Sequence, residues 1–82
     1  MDDGRVVLDR SAFPEGFFDL STGVAGEILQ KFVNYRVKLA IVGDFSVDTS
    51  KSLRDYIREC NRGRDICFVP SRQEALDRLA IM

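Results

Sequence analysis

The sequence predicts a small α/β domain, with a parallel sheet of three strands packed by helices in the order β-α-β-α-β-α. Three observations carry this reading. Leu39, Ala40, Ile41 and Val42 are apolar without alternation, which is how a strand buried on both faces reads. Before them, Val24, Ala25, Ile28, Leu29, Phe32 and Val33 recur at helical spacing, with Glu27, Gln30, Lys31 and Asn34 on the opposite side. A capped helix, a short apolar run and another capped helix then follow. Such alternation calls for parallel strands joined by right-handed crossovers.

Each element has its own local reason. Arg5 to Asp9, RVVLD, is a β-branched run that ends on an acid and reads as a buried strand. Ser11 to Gly16 is a loop punctuated by Pro14 and Gly16. Phe17, Phe18 and Leu20 are too apolar to stay in water, so this loop is expected to fold back onto the core. Ser21 or Thr22 is expected to cap the first helix through its hydroxyl. Gly23 and Gly26 sit in its first turns, where each costs up to about 1 kcal/mol against Ala. Simple packing is the bland explanation, and close approach to a strand or a bound group is the sharper one.

Lys38 to Gly43 is the second strand, and Gly43 to Ser46 is the turn at its carboxyl end. Ser50 caps a second helix with Leu53, Ile57 and Cys60 inward and Tyr56 beside them. Arg54, Asp55, Arg58 and Glu59 face out at pairing distance, and Gly63 ends the helix. Ile66 to Val69 is the third strand, stopped by Pro70. Ser71 with Glu74 three residues on is a capping box for the last helix, whose inward positions read as Ala75, Leu76, Leu79 and Ala80. Phe32 and Ile41 are expected in one core cluster with Leu29, Ile57 and Leu76. Truncating Phe32 to Ala is expected to cost about 3–5 kcal/mol.

Composition bounds the function. Eighty-two residues make a single domain spanning 1–82. A chain this short buries only about 60% of its unfolded surface, which leaves its stability marginal. A net charge of −1 offers no electrostatic case for nucleic acid or an anionic membrane. There is no apolar run of membrane-spanning length and no signal-peptide core in MDDGRVVLDR, so the default location is cytoplasmic. Cys60 and Cys67 form no disulfide framework or zinc pattern, and the chain has no histidine. They read as buried free thiols.

FFDLSTGVAGEILQKFVNYRVKLAIVGDFS, followed by SKSLRDYI and a final EAL, closely resembles a bacterial family, domain of unknown function family number 4180. The resemblance covers nearly all of Phe17 to Leu79. It implies a fold and no established activity. Its members run longer at the N-terminus, so the resemblance implies that an opening pair of strands and a helix are lacking here. A weaker resemblance is to STAS domains, the fold of anti-sigma-factor antagonists. There, a strand of the type VVLD is followed by a D-S-T-G turn that opens a helix. Here VVLD spans Val6 to Asp9, and Asp19-Leu20-Ser21-Thr22-Gly23 stands in the place of that turn. In STAS regulators the serine is phosphorylated by a partner kinase, which implies Ser21, or Thr22 if Leu20 shifts the register. The inserted Leu20 and the long SAFPEGFF loop depart from the pattern.

Ligands of open α/β sheets bind at the carboxyl ends of the strands. The candidate binding edge is therefore Asp9, Asp19, Gly23, Gly26, Asp44 and Ser46, with Ser71 nearby. Helix N-termini there suit an anion, although Ser, Thr and Asp are also ordinary capping residues. No nucleophile–base pair is visible, and no catalytic residue, cofactor or metal site is assigned. Asp19 with Asp44 is a weak candidate for a divalent ion. The leading expectation is a non-enzymatic regulatory module that binds a protein partner through this edge, switched by phosphorylation near Ser21. The alternative is a small-molecule or nucleotide-binding domain, or a degenerate enzyme, using the same edge. An unpaired N-terminal strand would also recruit another chain. The isolated chain is accordingly expected to be poorly soluble, partly unfolded, or a homodimer through that strand.

Overall fold

In the computed structural model the described residues are 4–14, 16–19, 21, 23–46 and 50–81. Three strands, β1 (Arg5–Asp9), β2 (Lys38–Val42) and β3 (Ile66–Val69), alternate with α1 (Val24–Asn34), α2 (Lys51–Arg62) and α3 (Arg72–Ile81). A 3-10 turn, Arg10–Ala12, follows β1. All strands are parallel in the order β1-β2-β3, with Leu39 opposite both Val6 and Ile66.

This order places the helices. Two successive crossovers of the same hand, each stepping one strand in the same direction, put α1 and α2 on one face. The chain leaves β3 at the end of the sheet, and α3 covers the other face. Side-chain alternation then divides the core in two. Leu39, Ile41, Ile66 and Phe68 pack with Phe17, Ala25 and Leu29 on the α1–α2 side. Ala40, Cys67 and Val69 pack with Ala75 and Leu79 under α3. The absence of alternation in KLAIVG is explained by this arrangement, since β2 is central and both of its faces are covered.

The local chemistry of most boundaries follows the sequence. Ser50 accepts the Leu53 amide at 3.1 Å as the cap of α2, and Ser71 accepts the Glu74 amide at 3.2 Å at the start of α3. Gly63 closes α2 in an extended conformation, donating to the Cys60 carbonyl. Phe17 is 1% exposed and stacks against Phe13 and Phe18 with ring centroids 4.3 and 4.9 Å apart, so the aromatic loop does return to the core. Leu20 lies outside the described residues.

Several expectations are corrected. Ser21 does not cap the first helix: its hydroxyl goes to Asp19, the N-cap is Gly23, left-handed at φ 77°, and Val24 is exposed. A glycine adopts that backbone without the steric penalty a Cβ would bring. Thr22 lies outside the described residues. No close approach explains Gly26, because a Cβ there would meet nothing within 4 Å. Leu76 is 48% exposed and Ala80 is exposed, so α3 buries only Ala75 and Leu79. An isolated three-stranded sheet is too narrow to cover a wider stripe. Phe32, Ile57 and Cys60 pack on the core but are only half-buried, whereas Cys67 is fully buried and both thiols are free.

Candidate functional site

The carboxyl edge of the sheet is built from three turns of one design. Asp9 ends β1 and accepts the Ser11 amide at 2.8 Å. Asp19 accepts the Ser21 amide at 3.1 Å and the Ser21 hydroxyl at 2.6 Å. Asp44, after β2, accepts the Ser46 amide at 3.0 Å and also the Ser46 hydroxyl. In each, an aspartate folds the chain by bonding the backbone two residues on. The serine hydroxyl and then the serine amide hold all three carboxyls below their ordinary value, with Arg10 adding to the effect at Asp9 and Asp44.

Arg10 ties two of these turns together. Its Nη1 donates to the Asp44 carbonyl at 2.6 Å, and its guanidinium lies 4.9 Å from the Phe45 ring centre and 5.6 Å from that of Phe18. The close pass depends on Gly43, where a Cβ would stand 2.7 Å from the Arg10 Cδ and 2.9 Å from its Cγ. Phe18, Phe45 and Phe68 continue the ring contacts downward, at 5.4 and 5.3 Å. The edge is thus an aromatic base with one cation stacked on it, flanked by the carboxylates of Asp9 and Asp44.

Asp9, Asp44 and Ser46 are drawn together through Arg10, and Asp19 and Ser21 stand at the approach to α1, beside the Phe17–Phe18 pair. Gly23 turns the chain into the helix. Gly26 instead borders the depression between α1 and α2, with Val33, Tyr56 and Cys60. Ser71 caps α3. Arg10, Gly43 and Phe45 were not singled out from the sequence. The repeated Asp-x-Ser triplet, at 9–11, 19–21 and 44–46, was the signal available for this edge.

A carboxylate held below its usual range is a poor proton acceptor near neutral pH. The Ser21–Asp19 and Ser46–Asp44 pairs therefore read as turn bonds, not as activated nucleophiles. Among the described residues no three acids or cysteines converge as a metal site, and no polar side chain is buried. The depression bounded by Gly43, Asp44, Phe45, Ser46 and Pro70 opens to solvent. Among the described residues no helix is long and apolar enough to cross a membrane.

No curated protein and no solved structure matches the chain. The family model described as Domain of unknown function (DUF4180) matches residues 2–79, and the chain belongs to that family.

Proposed function

We propose that this protein is a non-enzymatic regulatory module that docks a protein partner on the carboxyl edge of its sheet and releases it when Ser21 is phosphorylated. The observation that carries the reading is the position of the Ser21 hydroxyl, exposed and 2.6 Å from the Asp19 carboxylate. A phosphoryl group there adds about −1.5 to −2 charges and removes the proton that Asp19 accepts. The turn ahead of α1 must then open. The N-terminus of α1 tolerates the new charge, while Asp19 and Asp44 repel it. The STAS-like order of strand, turn and helix supports the same assignment. The open edge, with carboxylates and a stacked arginine in place of an enclosed polar pocket, suits a protein surface better than a small molecule.

The test uses three immobilised baits, the wild type, Ser21→Ala and Ser21→Asp, exposed to native cell extract with quantitative mass spectrometry. A partner retained by the wild type and Ser21→Ala but lost by Ser21→Asp is the expected result. Equal capture by all three would remove Ser21 as the switch and direct the same comparison to Thr22.

A further inference from the structure

The two edges of the sheet are treated differently. Leu39 donates to the Asp65 carbonyl and Gly43 to that of Val69, so β3 turns alternate residues toward β2 and leaves Ile66 and Phe68 facing outward. That outer edge is closed by a side chain. Asn61 accepts the Phe68 amide at 2.8 Å and donates to the Phe68 carbonyl at 3.2 Å, as a neighbouring strand would. Arg78 holds the Asn61 carbonyl at 2.8 Å.

Among the described residues no such cover lies on β1. Lys38 donates to the Gly4 carbonyl, so Gly4, Val6 and Leu8 address β2, and Arg5, Val7 and Asp9 turn their backbone groups outward. Among the described residues nothing pairs with the outward groups of Val7. Apolar side chains flank this edge on both faces. On α1, Gly26, Gln30 and Val33 border α2. The opposite flank of that helix carries Ile28, Phe32 and Tyr35, which form an apolar surface with Val37, and Tyr35 is 78% exposed. On α3, Arg78 reaches toward α2 and β3, which puts Leu76 on the flank toward β1. The half-exposure of Leu76 has its explanation here, since the sheet stops before it is covered.

We propose that β1 pairs with β1 of a second copy, antiparallel and centred on Val7, so that two three-stranded sheets become one. The sequence of the strand is complementary to itself in this register. Arg5 falls opposite Asp9 of the second copy, Val6 opposite Leu8, and Val7 opposite Val7. Arg5, Val7 and Asp9 have their backbone groups facing the partner, as hydrogen-bonded antiparallel pairs require. Their side chains share the α3 face, where Arg5 already donates through Nε to the Leu79 carbonyl and keeps the rest of its guanidinium for the facing carboxylate. Opposite charges directly across an antiparallel pair are favourable, and like charges are not. Displacing the register by two residues sets Val7 against Arg5 or Asp9 and loses both charge pairs. A second copy therefore fits this edge better than an unrelated strand. The contact is isologous, closes after two subunits, and of the carboxyl-edge carboxylates engages Asp9, leaving Asp19 and Asp44 outside the ladder.

Size exclusion with light scattering is the test. The wild type is expected at twice its 9.3 kDa mass at high micromolar concentration. Arg5→Asp and Asp9→Arg each place like charges across the ladder and should run as monomers alone. Mixed one to one they restore both pairs and should return to the dimer mass. Circular dichroism checks that each is folded. Should either charge variant fail to fold, Leu76→Glu decides, because this exposed position tolerates the change in a single copy but not at the rim of the dimer. A monomeric wild type overturns the proposal, and if its Val7 amide is nevertheless protected from exchange, another segment covers the edge. Dimers indifferent to all three substitutions, or open-ended oligomers, overturn it as well.

Discussion

Replacing Gly43 by Ala should destabilise the wild type yet be harmless once Arg10 is gone. The added Cβ would stand 2.7, 2.9 and 3.0 Å from the Cδ, Cγ and Cβ of Arg10, so the arginine must leave its place. With it go the 2.6 Å bond to the Asp44 carbonyl and the stacking on Phe45 and Phe18. A charged hydrogen bond at an exposed site contributes about 1 kcal/mol, and an exposed cation–π contact about 0.5–1 kcal/mol. Against this loss, Gly→Ala at a compatible backbone returns about 0.4–1 kcal/mol by restricting the unfolded chain. The net cost is about 1 kcal/mol, a fall in Tm of about 4–8 °C for a domain of this size. In an Arg10→Ala background only the contact to Cβ remains, and Gly43→Ala should lie within about 0.5 kcal/mol of neutral. Urea denaturation of the wild type, both single variants and the double variant measures the coupling. If the two substitutions prove additive, Arg10 does not occupy the place that Gly43 opens for it, and the account of this edge fails.

Phe17→Ala should cost about 3–5 kcal/mol because Phe17 is 1% exposed within the aromatic cluster. Phe32→Ala should cost only about half of that, because Phe32 is half-buried; denaturation midpoints in the reverse order would refute the packing of the loop. Burial, and then the charge and hydrogen bond of Cys60, push the Tyr56 phenol from 10.0 up to about 12. A raised phenol favours the neutral form in the folded state, so its contribution is complete below pH 10 and declines as pH rises toward 12. Melting temperatures across that window should fall less for Tyr56→Phe than for the wild type, and parallel curves would place the alkaline loss elsewhere.

How much of this was legible in the sequence depends on the range of the interactions concerned. The strands and helices are local matters of periodicity and capping. KLAIVG lacks alternation because both faces of β2 are covered, and Ser50 and Ser71 bond amides three residues away. The Asp-x-Ser turns are equally local, each an aspartate bonding the serine two residues on, whereas Asp9, Asp19, Asp44 and Ser46 are grouped by the rule that ligands sit at the carboxyl ends of the strands. Ser21 does not cap α1, because it spends its hydroxyl on Asp19 and not on an amide of the first turn; Thr22 lies outside the described residues, and the chain enters the helix through a left-handed Gly23. Periodicity alone cannot separate those two competing local bonds.

The sequence by itself determined the order of elements, the parallel sheet and the identity of the buried central strand. Only the tertiary structure decided which apolar positions the sheet can cover. Leu76 and Leu79 are equivalent as residues. Leu79 faces the sheet, whereas Leu76 projects past the last strand. Arg10 and Gly43, or Asn61 and Phe68, become partners only when separate segments are brought together, one pair across two strand ends and the other across a helix and an edge. A pattern read along the chain carries the spacing of neighbours in sequence. The width of the sheet and the state of its two edges are set by contacts between segments, and these no local period encodes.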